Sequence, residues 1–345
     1  MTFVRTLTVA LAATVLGIGM FAQSAAAQTA PAPIKLRASL DTSATHGRTI
    51  AVGEYLKQLQ EASGGRIQTE LFHSGQLYKD ANVAKALRQG GIEMAVPGTW
   101  VLTGFVPDAD IFQLPIFFGQ SADSVHRVVD GPVGKSINGE LEQKLEIKVL
   151  GPWFDLGYQN AYSTAKPIAA FKDFEGLKLR NSGGAGQFMR AKYLGATPNM
   201  TPWPDVPLAL SQGTFDALTS TNESLASAKL WDSGVKYAFE DHEFMAEYVP
   251  MVSEQFWKKL TPDLQKLTVD LWAKNIPAWR AAMAKSQSEA RETLIQHGIK
   301  FTDPSPQQIA ETRQKLMAYQ DAMIAEMKIT PALATEASAA LQATN

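Results

Sequence analysis

Five histidines, His46, His73, His126, His242 and His297, are the residues best suited to metal or general-base chemistry, and they lie scattered along the chain. None has a helical i, i+4 histidine partner, the spacing that sets two imidazoles on one face toward an ion. No metal site and no cofactor are expected. The chain has no cysteine, which excludes thiolate nucleophiles, cysteine-ligated metals and disulfides. Gly183-Gly184-Ala185-Gly186 is glycine-rich, but it lacks the Lys-Ser/Thr of a phosphate loop and the spacing of a dinucleotide fingerprint. A turn leading into a helix is its plain reading. No Gly-x-Ser-x-Gly elbow and no His-Glu-x-x-His pair occurs. The chain is therefore not expected to be an enzyme.

The elements that would position any site alternate in type. Residues 34–40 alternate apolar and polar as a strand. Ser43 or Thr45 can cap a helix over 47–62 that ends at Gly64-Gly65. A strand over 67–73, a helix over 80–89 and a short strand over 92–96 follow. Residues 123–145 read as helix with a break at Gly131-Pro132, and 147–153 as strand. A second strand–helix rhythm begins near Tyr162. It has a strand ending at Arg180, helices over 185–194, 204–212 and 223–230, and strands over 215–219, 235–239 and 249–253. Thr261-Pro262-Asp263 starts a long helix that runs to about His297 and should bend at Pro277. A strand over 299–302 and an amphipathic helix over 305–327 complete the pattern. Such alternation predicts α/β layers with crossover helices.

A chain of 345 residues, 45% of them hydrophobic, has enough apolar matter for two domains. Its formal net charge of −2 gives no electrostatic reason to expect nucleic acid or an anionic membrane as partner. Arg5, the apolar stretch 7–21 and Ala25-Ala26-Ala27 form the three parts of a secretory signal, so cleavage near Ala27 and a periplasmic protein are expected.

From about Ile34 to His297 the chain resembles the substrate-binding proteins of TRAP transporters, of the C4-dicarboxylate-binding type. The most specific stretch is Phe174-Glu175-Gly176-Leu177-Lys178-Leu179-Arg180. Gly195-Ala196-Thr197-Pro198 and the run from Asp205 to Asp216 keep the family's spacing downstream. Gly64-Gly65-Arg66-Ile67, Ser74-Gly75-Gln76-Leu77, Gln89-Gly90-Gly91-Ile92-Glu93 and Leu114-Pro115-Ile116-Phe117-Phe118 do so upstream. Each piece is weak alone; their order carries the resemblance.

The resemblance implies two α/β domains closing on a ligand in the cleft between them, with a long helix crossing both. The expected division is 28–157 plus about 246–285 for the first domain and 158–245 plus about 286–345 for the second, after a signal peptide at 1–27. It also implies that Arg180 pairs with a ligand carboxylate, a role its planar, permanently charged fork of donors suits. Trp203 falls where the family often sets an aromatic residue against the ligand; interdomain core is the alternative. Ser220 stands where many relatives carry Asn or Asp, with Asn222 and Glu223 close by. Asp41 and Trp100 belong to loops that face the cleft, and a turn residue or a packed aromatic is the plain alternative for each. Asn160 replaces the second arginine of some relatives, sialic-acid binders among them, and would offer neutral hydrogen bonds in place of a counter-charge. Asp216-Ala217 replaces the usual Asp-Gly. The implied partners are a small organic acid and the small and large integral membrane subunits of a transporter, with the binding protein itself a monomer.

Overall fold

The computed structural model describes residues 32–343, so the signal expected at 1–27 lies outside the described residues. Thirteen strands run through them in chain order: β1 (Ile34–Ser39), β2 (Ile67–Phe72), β3 (Met94–Ala95), β4 (Ile147–Val149), β5 (Phe154–Tyr158), β6 (Asn160–Ser163), β7 (Lys178–Asn181), β8 (Thr197–Met200), β9 (Ala217–Ser220), β10 (Tyr237–Phe239), β11 (Met245–Tyr248), β12 (Met251–Ser253) and β13 (Lys300–Thr302). They form a five-stranded sheet in the order β2-β1-β3-β12-β4 and a six-stranded sheet in the order β13-β10-β6-β9-β7-β8. The expected two-lobed α/β fold is present.

Parallel pairing needs crossover helices, and the sequence supplies them. β1 pairs with β2 in parallel from Ile34↔Ile67 to Ser39↔Phe72, joined by the helix Gly47–Ala62. That helix buries Ala51, Val52, Tyr55, Leu56 and Leu59 along one stripe. Its cap is His46, not the expected Ser43 or Thr45: the imidazole Nδ1 accepts from the Arg48 N–H at 3.0 Å.

The chain passes between the sheets three times on its way to β13. β5 leads from the first sheet to the second, β11 leads back, and these two pair antiparallel as a separate two-stranded ribbon. The third passage is the 35-residue helix Pro262–Gln296, on the order of 50 Å long at 1.5 Å per residue. It buries Leu264, Thr268, Trp272, Ile276, Trp279, Met283, Ala290 and Leu294, a stripe at steps of three, four and seven. Trp272, Ile276, Trp279 and Met283 pack with Tyr55 and the first sheet, and Leu294 packs with Tyr162 and Leu218 of the second. Pro277 is exposed and the helix runs through it unbroken, because the hydrogen bond it removes faces solvent.

Two expectations change. The helix foreseen over 305–327 is two, Pro306–Met317 and Gln320–Met327, parted where Tyr319 stacks on Tyr193 at 4.2 Å. A third helix, Pro331–Gln342, follows. These C-terminal helices were expected with 158–245. The helix Gln320–Met327 does meet Met189 and Tyr193 of that stretch, but Met323, Met327, Leu333, Ala337 and Leu341 also join a core with Val125, Val128 and Ile137, beside the first sheet. An amphipathic pattern says that a helix has a buried face but not which surface it meets.

Candidate functional site

Five of the seven sequence-predicted residues, Asp41, Trp100, Arg180, Trp203 and Ser220, line one cavity of about 220 Å³. Its walls come from both sheets by one rule. Asp41 follows β1, Trp100 follows β3, Trp203 follows β8, and Arg180 and Ser220 sit in the last two positions of β7 and β9. The carboxyl ends of parallel strands are where α/β sheets present loops to a ligand. Drug-sized ligands occupy roughly 300–1,000 Å³, so a smaller, metabolite-sized molecule suits this space. Thr42, Asp80, Gln159, Ser182, Ser224 and Tyr248 complete the polar lining.

Arg180 is 1% exposed. Its Nε and Nη2 donate to the Thr201 carbonyl at 2.9 and 2.7 Å, which fixes the plane of the fork. Nη1 makes longer bonds, 3.2 Å to Ser182 Oγ and 3.3 Å to the Thr219 carbonyl. One N–H on Nη2 is left over. Trp203 lies against the guanidinium, 5.5 Å from its ring centroid. Among the described residues no carboxylate forms an ion pair with Arg180. Burial pulls its pKa down to about 10, opposed by Asp41 and Tyr248. It therefore stays charged at neutral pH, although an uncompensated buried cation is costly.

A second buried arginine, missed by the sequence reading, is fully paired. Arg48 bonds Asp41 at 2.5 Å and Asp80 at 2.6 Å, donates to the Val96 carbonyl at 2.9 Å and lies 4.1 Å from the Tyr248 ring centroid. Nothing in Gly47-Arg48-Thr49 distinguishes it from a surface arginine; only the turn of the helix carries it inward. Asp80 is pushed up to about 7, first by burial, with Arg48 opposing and Asp41 adding. Its Oδ1 has no hydrogen-bond partner among the described residues. The cavity thus sets one unpaired cation, Arg180, beside a buried cluster in which Arg48 is paired with Asp41 and Asp80.

Asn160 and Asn222 do not reach this cavity. They line a different one, beside Glu240 and His242. Asn160 Oδ1 accepts from the His242 N–H at 3.1 Å, and Asn222 accepts from the Tyr162 hydroxyl at 2.7 Å. Successive residues of a strand point to opposite faces, so Gln159 faces the cavity and Asn160 turns away. Glu223 is also committed elsewhere, 2.9 Å from His46 Nε2.

At the cavity's rim, Lys79 and Asp205 pair at 2.6 Å, bringing together the approach to the helix Asp80–Arg88 and the turn Trp203–Asp205 after β8. Gly183 and Gly184 line the wall with φ of +126° and +81°, a backbone shape that side chains with a Cβ resist.

The comparisons agree with this architecture. The chain is 25% identical over 264 residues to the 2,3-diketo-L-gulonate-binding periplasmic protein of Escherichia coli, covering 76% of this chain and 79% of that one. It is 28% identical over 210 residues to the C4-dicarboxylate-binding periplasmic protein of Rhodobacter capsulatus, covering 60% and 61%. Among solved structures, the sugar-acid-binding protein of Advenella mimigardefordensis in complex with galactonate superposes with a TM-score of 0.85 at 21% identity, over 90% of this chain and 98% of that one. A TRAP periplasmic solute-binding protein of Ralstonia eutropha with bound (S)-2-acetolactate superposes at 0.80 with 24% identity, over 90% and 99%. Among the described residues no helix is long and apolar enough to cross a membrane. Residues 39–327 match the bacterial extracellular solute-binding proteins, family 7, and the chain belongs to that family: it is a solute-binding protein, not an enzyme.

Proposed function

We propose that this protein captures a small organic acid in the periplasm through Arg180 and delivers it to the membrane subunits of a TRAP transporter. The observation that carries this reading is Arg180, buried in the cavity with its plane fixed by Thr201 and without an acid of its own. A ligand carboxylate would supply the missing charge and take the remaining Nη2 N–H. It would displace the long Nη1 bonds. The rest of the ligand meets hydroxyls of Ser182, Ser220 and Ser224 and the Gln159 amide, with Trp100 and Trp203 as apolar walls. That lining favours an acid with hydroxyl or keto groups over a plain aliphatic chain. The relatives named for diketogulonate and crystallised with galactonate or acetolactate fit the same class. Export through residues 1–27 and action as a monomer belong to this proposal. Asn160 and Asn222 do not.

A thermal-shift screen across hydroxy acids, keto acids, sugar acids and dicarboxylates tests it. A ligand at 100 times its Kd stabilises by roughly 2.7 kcal/mol, a readily visible shift. Stabilisation by neutral sugars and by no acid would overturn the proposal, as would turnover of the bound acid.

A further inference from the structure

The ribbon between the sheets carries an arrangement that ligand capture does not use. Glu247 on β11 and Asp155 on β5 are register partners, beside the shift between Ala246 and Glu247. Like charges directly opposite on neighbouring strands repel. Both residues are buried, Glu247 at 1% exposure, and both Glu247 oxygens lack a hydrogen-bond partner among the described residues. The helix Ala122–Val129 sets His126 against the pair, with Nε2 at 2.9 and 3.0 Å from the two Asp155 oxygens. One donor atom from each of the three residues lies within 4.8 Å of the others.

The surrounding charges do not balance. Arg280 Nε reaches Asp155 at 3.1 Å, while its two Nη groups bind Asp130 at 2.6 and 3.0 Å. Asp130, Asp155 and Glu247 together face one guanidinium, so the carboxyl groups outnumber the arginine three to one. The unpartnered Glu247 oxygens thus stand opposite the Asp155 carboxylate with His126 beside them, an arrangement a cation would complete.

We propose that His126, Asp155 and Glu247 bind one divalent transition ion, of the Zn²⁺ or Mn²⁺ class, at this ribbon. One imidazole nitrogen and two carboxylates without a thiolate suit these ions. Ligands at about 2.0–2.2 Å from an ion sit a little over 3 Å apart, so small side-chain adjustments complete the set. Arg280 would orient the Asp155 carboxylate from behind, as outer partners of metal ligands do. A cavity of about 730 Å³ that reaches His126 and Asp155 gives the ion and its water a way in. The bound ion would tie both ribbon strands to the helix Ala122–Val129. Histidine spacing along the chain could not reveal this site, because its donors come from three separate elements.

The test is to strip the purified protein with chelator, titrate it with ZnCl₂ or MnCl₂ by calorimetry, and measure bound metal by mass spectrometry after dialysis. One ion per chain and a rise in melting temperature are expected. His126→Ala and Glu247→Gln should each weaken binding tenfold or more, and His73→Ala, away from the ribbon, should leave it within twofold. The inference fails if wild type binds no more metal than His126→Ala, or if stoichiometry follows His73. It also fails if Glu247→Gln melts higher than wild type and zinc shifts neither, the signature of a pair that holds a shared proton. His126 is partly exposed, so its variant should fold even if a Glu247 variant does not.

Discussion

Replacing Arg180 separates the binding role from a structural one. Arg180→Ala removes the only unpaired buried cation lining the described cavity while its carbonyl partners, Thr201 and Thr219, stay in the backbone of the second lobe. Truncating one partner of a buried charge pair costs about 2–5 kcal/mol, or roughly 30-fold to several thousand-fold in Kd. Arg180→Lys keeps the charge but loses the fork that holds Thr201 through two N–H groups, so a loss of about tenfold is expected. Calorimetry with the best acid from the screen, alongside circular dichroism of each variant, measures both. A folded Arg180→Ala protein within threefold of wild-type affinity would refute the reasoning.

Other expectations follow from particular contacts. Ligand should shift tryptophan emission, and Trp203→Phe should remove most of that shift, because Trp203 lines the cavity against Arg180. Lys79→Ala should raise the ligand off-rate by no more than about fivefold in stopped flow, since an exposed pair such as Lys79–Asp205 contributes about 0.2–1 kcal/mol. Asp110 is pushed up to about 7 by burial, against N–H donors from Gly186 and Ala185. An acid raised in the fold binds more protons folded than unfolded between about pH 4 and 7, so its contribution to stability falls as pH rises across that window. Urea unfolding should show Asp110→Asn gaining on wild type from pH 4.5 to 7. Gly134→Ala should lower the melting temperature sharply, because its Cβ would lie 1.7 Å from the Val129 carbonyl oxygen.

Much of the frame was legible because it rests on periodicity. The stripe from Leu264 to Leu294 marked the long helix, and strand–helix alternation marked the two lobes. Arg180, Trp203, Ser220, Asp41 and Trp100 were reached through the resemblance, and their shared place at strand ends explains why they meet. What escaped depends on side-chain direction or on distant partners. Asn160 and Gln159 differ by one step along an extended backbone, which sends them to opposite faces. Arg48, Asp80 and Tyr248 meet only in the folded chain, 168 residues separating the last two in sequence. The C-terminal helices show an apolar face whose destination no local pattern encodes.

The helix Pro262–Gln296 has a consequence for how the molecule comes apart. Trp272 and Trp279 are packed into one lobe and Leu294 into the other, on a single continuous helix. Neither lobe owns a complete interior without that helix. Melting one should strip the helix of half its burial and loosen the other, so calorimetry should record one cooperative transition. A chain ended before Pro262 would lack an element that both lobes need to reach the native state.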